Sequence, residues 1–314
     1  MKIIKKIAAV AAAVGIGLSI GGCGKAQEQS SDGGLRVITT NFPPYDFVRQ
    51  ISGGECEVEM LLTGGQDSHS YEPTAKDIIR INEADLFICT GGESDSWVEK
   101  IADSLDSDLK ILRMMDYIEP IEVHDHEEEH SEDKQEEHEE HGAEYDEHVW
   151  TSPINAVKIS EAITAALCEA DAENAEKYKA GLESYKAELS LLDKDMRAAA
   201  DSLTKPLIFG DRFPFAYLAR DYGIEYYAAF SGCSSETEPS AAKMTELIDR
   251  AKETGAKAVY YIEFSTEKVA KTIAEAVGAE TRLMHSCHTL STEDLNSGET
   301  YISIMRRNIE AMRE

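Results

Sequence analysis

Residues 173–203 read ENAEKYKAGLESYKAELSLLDKDMRAAADSL, and this stretch determines how the rest of the chain is divided. It has no proline and a single glycine, Gly181, and it is rich in alanine, leucine, glutamate and lysine, which favour a helix. The average helix of a globular protein has about 11–12 residues, so this one would be unusually long. We therefore predict one long linking helix over residues 173–203.

Short apolar runs alternate with helical patterns on both sides of this helix. Such alternation is typical of mainly parallel sheets with helices packed over them. The sequence therefore predicts an α/β fold with two Rossmann-like lobes, joined by the long helix, with a cleft between them. The apolar runs lie at residues 35–39, 58–62, 86–89 and 109–112 in the first half, and at 207–209, 226–230, 258–262 and 281–284 in the second. The predicted N-terminal lobe covers residues 36–172 and the C-terminal lobe covers residues 204–314.

A strongly acidic tract interrupts the N-terminal half at residues 122–147. It contains fourteen acids and five histidines but only one basic residue, Lys134. So charged a segment cannot bury enough apolar surface to offset its ordering entropy, and we expect a mobile loop. A solvated acidic linker is the ordinary interpretation of such a run, but imidazole and carboxylate together are ligands of zinc. We interpret the tract as a metal-collecting loop, with His124, His126, His130, His138 and His141 as secondary metal ligands.

The charge and the N-terminus limit the compartment and the partners. A formal charge of −29 repels nucleic acid and attracts cations. Three lysines precede an apolar run at residues 7–20, which is too short to span a bilayer and is typical of a secretory signal. The run ends at Gly21-Gly22-Cys23, which resembles the cleavage box of bacterial lipoproteins. We predict a signal peptide at residues 1–22, a lipid anchor on Cys23, and a flexible leash at residues 23–35 that holds the protein outside the cytoplasm on the cell membrane.

The other cysteines are five in number, so at least one thiol is unpaired. Cys233 and Cys287 each follow a predicted strand of the second half. A disulfide between them would join two neighbouring turns, and we take it as the expected pairing, with two free thiols as the alternative.

Four polar side chains stand where predicted strands end or where the acidic tract ends. They are His69, His148, Asp211 and His288. Ligands of open parallel sheets bind at the carboxyl ends of the strands, so two facing lobes would bring these four side chains into one cleft. Three imidazoles and one carboxylate form a closed four-coordinate zinc site. Glu263, after another predicted strand, is a reserve ligand, or else an acid outside the coordination sphere.

Several short motifs lie along the chain. They are TNFPPYDF at 40–47, DSHSYEP at 67–73, DEHVWTSP at 146–153, FPFAYL at 213–218 with YGI at 222–224, and EPS at 238–240. With these motifs, the chain resembles the zinc-binding solute-binding lipoproteins of bacterial ABC metal importers over nearly the whole mature chain. This resemblance implies two α/β lobes bridged by a rigid helix, with metal bound between them and passed to a membrane permease. It also implies that the acidic tract is a feature of zinc members, which manganese relatives usually lack.

The chain departs from that family at two ligand positions. Zinc members generally carry a third histidine where this chain has Asp211, and often a carboxylate where it has His288. The resemblance therefore implies an exchange that preserves three nitrogens and one oxygen. Without His288, the remaining set would contain more oxygen and would shift toward Mn²⁺.

The predicted function is capture of Zn²⁺ outside the cytoplasm and its delivery to an ABC permease by a monomeric, non-enzymatic binding protein. The alternatives are a manganese or iron carrier and a surface adhesin that carries metal. A zinc hydrolase is the weakest alternative. The HExxH match at residues 126–130 lies in the acidic tract, where we expect a loop and not a helix, and the GxSxG match at residues 17–21 lies in the predicted signal peptide.

Overall fold

The computed structural model describes residues 34–66, 68–123, 145–234 and 238–313. Within these ranges the chain forms two four-stranded parallel sheets with the strand orders β2-β1-β3-β4 and β6-β5-β7-β8. The two sheets repeat one topology, which confirms the predicted pair of α/β lobes. The strands are β1 (Leu35–Thr39), β2 (Cys56–Met60), β3 (Leu86–Cys89), β4 (Lys110–Arg113), β5 (Leu207–Phe213), β6 (Tyr226–Ser231), β7 (Ala258–Tyr261) and β8 (Glu280–Leu283).

Helices lie between successive strands of the chain, and they return it so that the strands of each sheet run parallel. The central strands are buried on both faces, and every residue of β3 is buried, because helices cover the sheet on each side. The helices are α1 (Phe42–Ser52), α2 (Ala75–Asn82), α3 (Trp97–Ile101), α4 (Pro153–Ala170), α5 (Ala175–Ser202), α6 (Ala216–Tyr222), α7 (Ala241–Thr254), α8 (Lys268–Val277), α9 (Thr292–Ser297) and α10 (Tyr301–Met312).

Helix α5 is the predicted long helix, and it contains 28 residues. One face buries Tyr178, Tyr185 and Leu189 against α1, α4 and α10. Its single glycine, Gly181, lies where α5 crosses α1. A Cβ atom at Gly181 would be 2.0 Å from the carbonyl oxygen of Ile51, so only glycine permits this approach.

The last helix returns to the first. The Tyr301 backbone N–H, at the start of α10, donates to Asp46 of α1 at 2.9 Å, and the Tyr301 hydroxyl donates to the carbonyl of Trp150 at 2.7 Å. The Tyr301 ring also packs edge-on against Phe47 with centroids 5.1 Å apart. One hydrophobic core consequently includes residues from both halves of the chain, and it fixes the segments that carry the candidate site.

Some predicted boundaries differ from the observed ones. Strand β5 continues to Phe213, four residues beyond its predicted end, with an irregular register between Phe209 and Arg212. Helix α10 begins at Tyr301, and a separate short helix, α9, precedes it. Gly298 ends α9 at a φ of 80°, in the left-handed region that glycine adopts most readily.

Two groups of predictions fall outside the described residues. The first is the signal peptide at residues 1–22, the lipid anchor on Cys23 and residues 24–33 of the leash. The second is the five histidines of the acidic tract. Among the helices that the structure does describe, none is both long and apolar enough to cross a membrane.

Candidate metal site

Three imidazoles from distant parts of the sequence meet at one place. His69 lies on a helical turn, Ser68–Ser70, in the loop after β2, and His148 precedes the turn that leads into α4. His288 lies in the loop after β8. The ring centroids are 5.3 Å apart for His148 and His288, 5.6 Å for His69 and His288, and 6.0 Å for His69 and His148.

These separations fit a single metal ion. Zn–N bonds of about 2.0–2.1 Å and tetrahedral angles place imidazole centroids about 5 Å apart. One nitrogen from each ring lies within 4.8 Å of the other two, so the three rings could hold one ion. The structure thus brings together three of the four predicted ligands.

His148 is fixed by the acid two residues before it. Asp146 Oδ1 lies 3.1 Å from His148 Nδ1 and accepts the His148 backbone N–H at 2.8 Å. A carboxylate only accepts hydrogen bonds, so Nδ1 carries the proton and Nε2 is available to a metal. Both side chains are only 2% exposed. Burial alone would lower the pKa of His148, but the charge of Asp146, with a contribution from Cys233, raises that pKa to about 10.

His288 has the opposite electrostatics. Burial, together with the neighbouring His148 and His69, holds the pKa of His288 well below its usual range. The imidazole of His288 is therefore neutral, which is the form that binds a metal.

Hydrogen bonds hold the turn that carries His288. The His288 backbone N–H donates to Ser286 Oγ at 3.1 Å, and the Ser286 N–H donates to Glu263 at 2.8 Å. Ser286 Oγ also hydrogen-bonds Glu263. Trp150 Nε1 donates to the Ser286 carbonyl at 2.8 Å, and its ring lies 5.0 Å from His288 between centroids. Cys287 completes the turn at a φ of 63°, a conformation that strains a non-glycine residue.

Asp211 is not part of the three-imidazole group in the described residues. The prediction that Asp211 lies just beyond a strand is wrong, because β5 continues past it to Phe213. Its Oδ1 accepts the Arg212 N–H at 2.8 Å, and its Oδ2 lies 3.4 Å from the Ile262 N–H. Glu263, the reserve ligand, also lies outside the group, and its carboxylate holds Ser286 instead.

The expected disulfide between Cys233 and Cys287 is absent, and both residues are free thiols. Cys287 is fully buried in the strained turn, whereas Cys233 is half-buried and close to His148. Cys233, His148 and Asp146 each offer one atom within 4.8 Å of the other two, which makes a second group that could hold a metal.

The contacts by which Asp146 and Trp150 support His148 and the turn of His288 were not predicted from the sequence. Both lie in the DEHVW motif, but neither was predicted to support a histidine. The spacing of Asp146 and His148 was the available signal, since a carboxylate two residues from a ligand can reach its second ring nitrogen.

The fold and the site define a class of protein. Two parallel α/β lobes bridged by a long helix, with three imidazoles converging from loops of both lobes, form a metal-binding protein of the solute-binding type. The chain belongs to the ZnuA family, whose model is described as zinc-uptake complex component A, periplasmic, and matches residues 37–314.

Named relatives and a solved structure agree with this assignment. The chain is 35% identical over 301 residues to the high-affinity zinc uptake system protein ZnuA of Bacillus subtilis. This alignment covers 95% of this chain and 93% of that protein. It is 31% identical to the zinc-binding lipoprotein AdcA of Streptococcus pneumoniae over 92% of its own length but only 57% of that of AdcA. The Zn(II)-bound ZnuA-like domain of the pneumococcal AdcA superposes with a TM-score of 0.73 at 30% identity, covering 89% of this chain and 98% of that domain.

Proposed function

We propose that this protein captures Zn²⁺ outside the cytoplasm and delivers it to an ABC-type permease. The observation that carries the proposal is the convergence of His69, His148 and His288 on one point. Zinc is a borderline ion that imidazole suits well, whereas Mn²⁺ prefers oxygen ligands. A set of three nitrogens without Asp211 therefore favours zinc over manganese more strongly than the predicted four-ligand set did.

Water or another small donor would fill the fourth coordination position of the zinc ion. Two carboxylates of the described residues are already engaged in contacts with a ligand or its turn, Asp146 with His148 and Glu263 with Ser286. Each holds a ligand or its turn in place, which is a positioning role. A delivered ion must also leave again, and an incomplete protein shell makes release easier than a closed one. We assign the protein no catalytic step.

The proposed function includes the cellular location of the protein and a role for its acidic tract. Cys23 would carry the lipid anchor, and the histidines of the acidic tract would collect zinc weakly and raise its concentration near the site. The relatives support an extracytoplasmic position, because their names describe a lipoprotein and a periplasmic component.

Native mass spectrometry of the mature protein tests the metal. After chelation, the protein is exposed to zinc and manganese in competition, and a matched variant lacking residues 124–142 is treated in the same way. We expect one tightly bound zinc in both proteins and further weak zinc ions only in the full chain. Preferential retention of manganese, or loss of the tight ion in the deletion variant, would overturn the assignment.

Growth under zinc limitation tests the transport role. A strain without this protein should grow poorly in chelated medium, and added zinc or the wild-type chain should restore growth. The His288→Ala variant should fail to restore it, while Asp211→Ala should succeed. Equal rescue by both variants would show that the three-imidazole group does not serve uptake.

A further inference from the structure

A second set of donors adjoins the three imidazoles. Asp146, His148 and Cys233 each present one ligand atom within 4.8 Å of the other two, and Asp146 and His148 are buried while Cys233 is half-buried. His148 belongs to both sets. The proposed zinc site does not use the thiol, and Cys233 forms no disulfide.

The turn that carries Cys233 is built to approach Asp146 closely. At Gly232, a Cβ atom would lie 2.8 Å from Asp146 Oδ2 and 2.9 Å from the carbonyl oxygen of Phe213. Any larger residue would push the turn away from Asp146. The Tyr217 hydroxyl donates to the Asp146 carbonyl at 2.8 Å and holds the other side of this contact.

The two sets share one donor, His148, and differ in the other two. The first offers three imidazoles, and the second offers one imidazole, one carboxylate and one thiol. A thiolate is a soft ligand and favours soft ions. A neutral imidazole has a single nitrogen lone pair, so His148 can serve one ion at a time, in one set or the other.

We propose that Asp146, His148 and Cys233 form an alternative metal position for thiophilic divalent cations of the cadmium class. An ion that enters it keeps His148 and replaces His69 and His288 by Asp146 and Cys233. As the metal bonds form, Cys233 loses its S–H proton and the protonated ring of His148 loses one N–H proton, both to solvent, so the exchange needs no oxidant. The position would let the protein hold a soft ion without filling the three-imidazole group. This inference does not depend on zinc transport.

Cadmium titration followed by ultraviolet absorption tests the proposal, because thiolate–cadmium bonds absorb strongly and imidazole or carboxylate bonds do not. The mature full-length protein should develop this band with the first equivalent of cadmium. Cys233→Ser should lose the band and weaken cadmium binding by at least about tenfold. Cys287→Ser, which removes the buried thiol outside the group, should keep both, as a matched control.

Two further variants separate the two metal positions. His69→Ala removes a donor of the three-imidazole group only, so it should lose tight zinc binding and keep the cadmium band. Gly232→Ala should weaken the band by moving the thiol. Absence of the band in the wild type, its persistence in Cys233→Ser, or its loss in His69→Ala would each overturn the proposal. Cys233→Ser should still bind one zinc tightly, because the thiol is not a donor of the three-imidazole group, and loss of that tight zinc would count against both the separate thiol position and the three-imidazole assignment for zinc.

Discussion

Replacing Asp146 by asparagine should change how many protons zinc displaces. The charge of Asp146 outweighs burial and raises the pKa of His148 to about 10. At pH 8 the metal-free ring is therefore about 99% protonated, and each zinc that binds must release about one proton. Asparagine keeps the shape and an acceptor oxygen but has no charge. In Asp146→Asn, burial should bring the pKa of His148 to its ordinary value of about 6.5 or below, so zinc should release almost no proton from this ring at pH 8.

The size of the proton competition with zinc follows from the raised pKa of His148. A pKa of about 10 lies two units above pH 8, which corresponds to roughly 3 kcal/mol of proton competition in the wild type. The zinc affinity of the wild type should consequently rise about tenfold for each pH unit between 7 and 9, and that of Asp146→Asn should be nearly constant. The stability of the metal-free fold depends on pH in the opposite direction, because it falls as the pH rises. The folded pKa of His148 lies above the unfolded value, so its stabilising contribution is complete below about pH 6.5 and is lost as the pH rises through about 10.

Calorimetric titration at pH 8 in two buffers with different ionisation enthalpies counts the protons. Only the first, tight equivalent of zinc is analysed, so that the acidic tract does not contribute. Glu147→Gln is the matched control, because Glu147 is an adjacent buried acid whose carboxylate binds the Ser94 backbone N–H at 2.7 Å instead of a histidine. If the wild type released no proton, or Asp146→Asn released as many as the wild type, the assigned role of Asp146 would be wrong.

Four other substitutions test the site and the fold. His288→Ala should weaken zinc binding by more than about 100-fold, beyond the loss expected for an outer partner, whereas Asp211→Ala should change it less than about threefold; competition with a zinc chelator measures both. Glu263→Ala should weaken zinc binding by about tenfold through the turn of His288, and an unchanged affinity would refute that positioning role. Gly181→Ala should lower the free energy of unfolding by about 1–3 kcal/mol despite the better helix propensity of alanine, and an increase measured by urea denaturation would contradict the close contact with Ile51.

The fold could be predicted largely from local patterns. The long helix lacks proline, and its composition favours a helix throughout, so its existence and approximate bounds follow from the sequence. The alternation of apolar runs with helical segments likewise predicts parallel sheets. The return of Tyr301 to Asp46 could not be predicted, because it depends on a contact between residues 255 positions apart.

The candidate site could be predicted only in part. His69 and His148 lie within motifs that the family resemblance covers, and His288 was found because it follows a strand. Asp211 was misplaced because strand β5 was predicted from its apolar residues alone, and it continues through the polar residues Asp211 and Arg212. The position of Cys233 beside His148 depends on the close approach at Gly232, which nothing in the local pattern indicates.

We propose that one zinc ion is held by His69, His148 and His288. Zinc X-ray absorption spectroscopy can test this ligand set on the variant lacking residues 124–142, loaded with one equivalent, since the tract histidines are then absent. We expect three imidazole nitrogens at about 2.0–2.1 Å, one further light donor and no sulfur. The same variant with His288→Ala should show two imidazoles. A zinc ion with two or fewer imidazoles in the parent variant, or a spectrum unchanged by the loss of His288, would show that these three histidines do not hold the ion.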